Sequence, residues 1–114
     1  MVQIWHNPRC SKSRASLELV EDSGQEMQIY KYLDESLSIS DIQDVLTKLG
    51  MGAKELMRSG EDIYKELNIK EIDDEATLVE LMSKNPKLIE RPIIIKGDKA
   101  VIGRPIENTI ELLK

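Results

Sequence analysis

Phenylalanine is absent from this chain, and tryptophan, histidine and cysteine each occur once. With aromatics at 4% of residues, the core has to be built from aliphatic side chains. A single cysteine excludes an internal disulfide. One cysteine with one histidine cannot complete a four-ligand zinc site within one chain, so no metal is expected. No window approaches the ~18 apolar residues of a membrane span, and the opening MVQIW has neither a basic n-region nor a long apolar h-region. These absences point to a cytoplasmic protein with no membrane partner, whose thiol stays reduced. That thiol is either buried filler or chemistry.

What is present is a globular composition, 40% hydrophobic and 32% charged over 114 residues. A chain of this length can bury roughly two-thirds of its unfolded surface as one domain. No repeat, low-complexity tract or linker marks a second domain, so a single domain over 1–114 is expected. The net charge of -5 is laid out unevenly. No acid precedes Glu18, and the first 17 residues hold Arg9, Lys12 and Arg14. Residues 91–104 set Arg91, Lys96, Lys99 and Arg104 against Asp98 alone, while residues 18–90 set eight bases against eighteen acids. Such a chain argues against nucleic acid as a partner, but its basic segments could build a local site for a small anion.

VQIW (2–5) reads as a strand running into a turn at Asn7-Pro8. Ser11 to Ser23 is helix-compatible and Gly24 is a natural stop, which puts Cys10 at or just before the first helical turn. Cys10, Ser13, Leu17 and Val20 then share one face. MQIYKYL (27–33) reads as a second strand, giving a βαβ crossover. Ser40 and Gln43 form a capping-box pattern ahead of Ile42, Val45, Leu46 and Leu49, with a stop at Gly50. Short helices are expected around Ala53 to Met57 and Glu61 to Leu67, and Asp74 can cap a further helix that Asn85-Pro86 ends. The helical block spans about 40–85. RPIIIKGDKAVIG (91–103) reads as a hairpin on a type II′ turn at Gly97-Asp98. Pro105 sits where a last helix would start, with Ile106, Ile110 and Leu113 on one face. The order βαβ, inserted helical block, ββα describes an α/β, thioredoxin-like fold with a mixed four-stranded sheet.

The chemistry concentrates in HNPRCSKSR (6–14). A thiol at a helix N-terminus meets the positive end of the helix dipole and unpaired backbone N–H groups, so its pKa should fall. Arg9, Lys12, Arg14 and His6 add cationic potential. Ser13 occupies the position of the second cysteine in a Cys-x-x-Cys motif. No internal disulfide can close, although its hydroxyl could donate to the thiolate, and any redox cycle must finish on an outside thiol. His6 could tune the thiolate or simply bond to backbone. Arg91 precedes Pro92 and Arg104 precedes Pro105 at the two ends of the hairpin, so the turn brings them to one end of the sheet, where paired guanidinium groups could clamp an oxyanion. Arg58 precedes Ser59-Gly60 at a helix end. Pro92, opening an apolar strand, is a candidate cis proline.

With HNPRCSKSR, LMRSGEDIYKELN, NPKLIERPIII and VIGRPIE together, the chain resembles the glutaredoxin-coupled arsenate reductase family over essentially its full length. Arg9, Ser11 and Lys12 around the cysteine, and the lack of a longer C-terminal extension, align it with the short bacterial branch. The resemblance implies a thioredoxin-like fold, Cys10 as nucleophile, and His6 as a thiolate-tuning group, with Ser13 and Arg14 beside it. It also implies oxyanion binding by Arg58, Arg91 and Arg104. The implied function is arsenic detoxification: Cys10 forms a covalent adduct with arsenate, glutathione serves as co-substrate, and glutaredoxin completes reduction to arsenite, with no bound cofactor. Two alternatives stay open: a glutathione-dependent monothiol oxidoreductase with another substrate, and a non-catalytic redox regulator that binds RNA polymerase.

Overall fold

The computed structural model describes residues 1–34 and 37–114. Chain contacts divide into two compact units, Met1–Glu35 with Arg91–Lys114, and Ser36–Glu90.

The first unit holds β1 (Val2–Trp5), α1 (Ser11–Asp22), β2 (Met27–Tyr30), β3 (Ile93–Lys96), β4 (Lys99–Ile102) and α6 (Glu107–Leu113). Its sheet runs β2-β1-β3-β4. β1 pairs parallel with β2, Val2 opposite Met27 and Trp5 opposite Tyr30. It pairs antiparallel with β3, Val2 opposite Lys96, and β4 pairs antiparallel with β3. The sheet is therefore mixed, as expected of a βαβ and a ββα half sharing one sheet. Lys96 pairs with Lys99 across the Gly97-Asp98 loop. Of the two loop residues only Gly97 takes a positive φ, of 65°, which is the type II′ pattern. Val2, Ile4, Val20 and Ile94 are fully buried and pack with Leu17, Met27, Val101, Leu112 and Leu113. This aliphatic cluster is the core that the missing phenylalanines require.

Three differences from the sequence reading stand out in this unit. β2 ends at Tyr30 rather than Leu33. Tyr32 leaves the ladder and its ring stacks on Trp5 (centroids 6.2 Å), while Tyr30 meets Trp5 edge-on at 6.0 Å. Aromatic burial at the end of β1 overrides one more pair of strand residues. In α6 the expected face is rotated: Ile106 and Ile110 are exposed, and Thr109, Leu112 and Leu113 turn inward. Thr109 is buried because its hydroxyl bonds Ser16 of α1 at 2.9 Å. Both the Arg91–Pro92 and Arg104–Pro105 peptides are cis, and the sequence drew attention only to the first.

The second unit is helical: α2 (Ile39–Leu49), α3 (Ala53–Leu56), α4 (Asp62–Glu66) and α5 (Glu75–Lys84), with 3-10 turns over Ile69–Glu71 and Pro86–Leu88. Here α2 starts earlier than expected. Its cap is Ser38, whose Oγ accepts from Asp41 N–H (3.0 Å) while Asp41 Oδ2 accepts from Ser38 N–H (3.3 Å). A carboxylate at N3 returns the bond and complements the dipole better than the Gln43 amide of the Ser40 alternative. Ile42, Val45 and Leu46 form the buried face. Asp74 caps α5 through Thr77 N–H. The Glu75 carboxylate accepts from Ala53 N–H at 3.0 Å, capping α3 from α5.

No described helix is long and apolar enough to cross a membrane.

Candidate active site

The loop into α1 is held by local bonds. Cys10 N–H donates to Asn7 O and Arg9 N–H to Asn7 Oδ1, both at 3.0 Å. This Asx turn suits Asn ahead of Pro8. Arg14 Nη1 reaches back to Pro8 O at 2.9 Å. Arg14 N–H donates to Cys10 O, the first bond of α1, so Cys10 is the N-cap with extended φ and ψ.

Cys10 is 8% exposed. Burial alone would raise its pKa, but the backbone N–H groups of Ser13 and Lys12 and the guanidinium groups of Arg104 and Arg91 outweigh it and bring the thiol down to about 7. Arg104 makes the direct contact, Nη2 to Sγ at 3.3 Å. About half of the molecules therefore carry a thiolate near neutral pH.

Arg104 is itself fixed from several sides. Its Nε donates to Arg91 O at 2.7 Å. Asn108 Nδ2 donates to Ile102 O (3.0 Å) and Arg104 O (3.3 Å). Gly103 N–H donates to Pro92 O at 2.9 Å, lacing the two Arg-Pro corners together. Gly103 has no room for a side chain: a Cβ there would lie 2.7 Å from Ser16 Oγ, 2.8 Å from Thr109 Oγ1 and 2.9 Å from Pro92 Cγ. Sequence reading missed Gly103, Asn108, Ser16 and Thr109. The only signal available was the glycine immediately before Arg104-Pro105.

Arg91 complements Arg104. Its Nε is buried and has no acceptor among the described residues. A buried, unpaired guanidinium N–H beside a thiol is a donor suited to an incoming anion.

The other sequence candidates lie differently. The Ser13 hydroxyl does not donate to the thiolate. Its Oγ accepts from Asn7 N–H at 3.0 Å and bonds His6 Nδ1 at 2.7 Å, and Ser13 acts on the sulfur through its backbone. His6 is buried, and burial together with the nearby Lys31 and Arg14 charges holds its pKa below the ordinary imidazole value. Among the described residues no hydrogen bond joins His6 or Arg14 to the sulfur; His6 holds Ser13 and Arg14 holds Pro8. Arg9 and Lys12 are exposed, and Lys12 contributes its backbone amide. Arg58 belongs to the second unit, where its guanidinium pairs with Glu61 (3.3 Å) and Glu90 (3.7 Å) and its N–H donates to Leu88 O at 2.7 Å. Among the described residues no group of three or more His, Cys, Asp or Glu is placed to hold a metal ion.

Residues 5–112 match the family model described as ArsC family. The chain is 46% identical to an uncharacterised Escherichia coli protein, YfgD, over 98% of this chain and 96% of that one. It is 44% identical to an arsenate reductase of Haemophilus influenzae over 98% of each. A solved structure of an arsenate reductase from Vibrio cholerae superposes with a TM-score of 0.92 at 41% identity, covering 96% of this chain and 95% of that one.

Proposed function

The chain belongs to the ArsC family, and on that premise we propose that it reduces arsenate to arsenite with thiols as electron source. The observation that carries this reading is a thiol with a pKa of about 7 faced by two guanidinium groups, one of which has a buried N–H without an acceptor. Arg91 and Arg104 neutralise a tetrahedral oxyanion and aim it at the sulfur. The same two charges that depress the thiol pKa stabilise the charge that develops on the oxygens during attack.

Cys10 thiolate attacks arsenic and forms an S–As bond, and one arsenate oxygen leaves as water after taking up protons; arsenic remains As(V). The chain holds no other cysteine, and Ser13 stands where a resolving thiol would be, so the two electrons have to come from outside. Glutathione displaces a second oxygen as water. A glutaredoxin thiolate then attacks the glutathione sulfur, forming a mixed disulfide. The glutathione S–As bond breaks with its electron pair left on arsenic, now As(III) and still bound to Cys10. Water displaces Cys10 from As(III), releasing arsenite and the free thiol. Two thiols are oxidised and arsenic gains two electrons. A free catalytic thiol of this kind fits the reducing cytoplasm. Arg58, paired with Glu61 and Glu90 in the second unit, is the third arginine that this reading assigns to the oxyanion.

The test is arsenite formation with glutathione and glutaredoxin by wild type, Cys10→Ser and Arg91→Ala. Abolished turnover in the first variant and strongly reduced turnover in the second support the reading. Equal rates in all three end it.

A further inference from the structure

The first unit contains a cavity of about 220 Å³ lined by His6, Asn7, Pro8, Arg9, Lys31, Leu33 and Asp34. None of the steps above uses it. Its walls are two hydrogen-bonded turns. One is the Asn7–Cys10 turn, pinned by Arg14 at Pro8 O. The other follows β2, where Asp34 N–H donates to Lys31 O at 3.0 Å.

The buried imidazole of His6 gives the cavity a directed donor. Ser13 Oγ accepts from Asn7 N–H, and the acceptor within reach of its own proton is His6 Nδ1, at 2.7 Å. The arrangement that satisfies all three groups is Ser13 O–H donating to Nδ1, which leaves the imidazole proton on Nε2, the ring nitrogen free to serve the cavity. Around it stand Arg9, Lys31 and Asp34, whose side chains make no hydrogen bond or ion pair with any described residue. Three donors, two of them cationic, with one carboxylate alongside match a carboxylate that carries an ammonium group next to it.

We propose that this cavity receives the γ-glutamyl end of the thiol co-substrate, its α-carboxylate on His6 Nε2–H, Lys31 and Arg9 and its α-ammonium on Asp34. The inference rests on glutathione being the attacking thiol. The volume is below the ~300–1,000 Å³ of pockets that enclose a drug-sized ligand, so it takes one end of a tripeptide and leaves the cysteinyl part outside. The wall residues Asn7, Pro8 and Arg9 lead directly into Cys10. An extended two-residue span reaches about 7 Å from the anchored end, which carries the incoming thiol along this turn toward the arsenic on Cys10.

The experiment titrates the ¹⁵N-labelled full chain with S-methylglutathione, which has no free thiol, and separately with L-glutamate. Amide shifts are followed in wild type, Lys31→Ala and Asp34→Ala, and the KM for glutathione in arsenate turnover is measured on the same proteins. The expected result is saturable shifts at residues 6–9 and 31–34 with S-methylglutathione, weakened about tenfold by either substitution, one lost charged contact being worth roughly that factor. KM for glutathione rises in parallel and the alkylation pKa of Cys10 stays unchanged. Equal or tighter binding of L-glutamate identifies a free amino-acid site and overturns the co-substrate assignment. Shifts confined to other residues, or an unchanged KM in both variants, overturn the subsite while leaving arsenate reduction intact. Binding at these residues with no arsenate turnover in any protein overturns the activity and leaves the subsite standing.

Discussion

Replacing Arg104 by alanine removes the Nη2···Sγ bond at 3.3 Å and the guanidinium charge behind it. A hydrogen bond to a charged group contributes ~1.5–3 kcal/mol, and the partial exposure of Arg104 together with the soft sulfur acceptor puts this one at the lower end. At 1.36 kcal/mol per unit, the thiol pKa should climb by about one unit from its value of about 7, since Arg91 and the Ser13 and Lys12 amides remain. The thiolate fraction at pH 7 then drops from about one half to about one tenth, and because the more basic thiolate is about threefold more nucleophilic, the iodoacetamide alkylation rate there falls about twofold. At pH 10 both proteins are ionised. There the more basic thiolate of the variant is the better nucleophile, by about threefold for a Brønsted slope of 0.4–0.5. The two rate profiles should therefore cross. Stopped-flow alkylation from pH 5 to 10 reads both limbs. An unchanged midpoint, or a rate lowered equally at every pH, would refute the reasoning, because the first denies the electrostatic coupling and the second makes the effect one of access.

Gly103→Ala places a methyl within 2.7–2.9 Å of Ser16, Thr109 and Pro92, and should cost ~1–3 kcal/mol in urea denaturation. Asn108→Ala deletes the bonds to Ile102 O and Arg104 O, each worth ~0.5–1.5 kcal/mol; the alkylation midpoint of Cys10 should move upward, in the direction of the Arg104 variant but by less. His6 has a pKa lowered in the folded state, so as pH falls the unfolded chain takes the proton first. The stability due to neutral His6 is present above the unfolded value near 6.5 and is lost as pH falls through the folded one, by at most about 1.4 kcal/mol per pH unit. His6→Asn should flatten the fall in melting temperature below pH 6.5, and an identical slope in both proteins would contradict the assignment.

The parts of the fold that the sequence disclosed are those governed by local rules. Cys10 falls at a helix start because Pro8 and Asn7 make a turn ahead of it and Gly24 bounds the helix behind it. The hairpin follows from Gly97-Asp98 between β-branched runs. The parts that stayed hidden depend on contacts between distant residues. Thr109 and Ser16, 93 residues apart, set the phase of α6, so the apolar face read from Ile106, Ile110 and Leu113 gives way to one with a buried hydroxyl pair. Gly103 reads as an ordinary strand-end glycine until residues 16, 92 and 109 are seen around it. Ser13 and His6 were legible as neighbours of the thiol, but their bond to each other, 2.7 Å long, shows only in three dimensions. Arg91 and Arg104 could be paired through the hairpin register, whereas the orphaned Nε of Arg91 depends on the packing around it.

Whether a thiolate at Cys10 takes up arsenate between Arg91 and Arg104 is decided by alkylating Cys10 at pH 7 with and without arsenate. The expected outcome is a thiol pKa of about 7 and saturable protection by arsenate that is lost in Arg91→Ala. A thiol pKa near the ordinary ~8.5 with no protection at any arsenate concentration would contradict it.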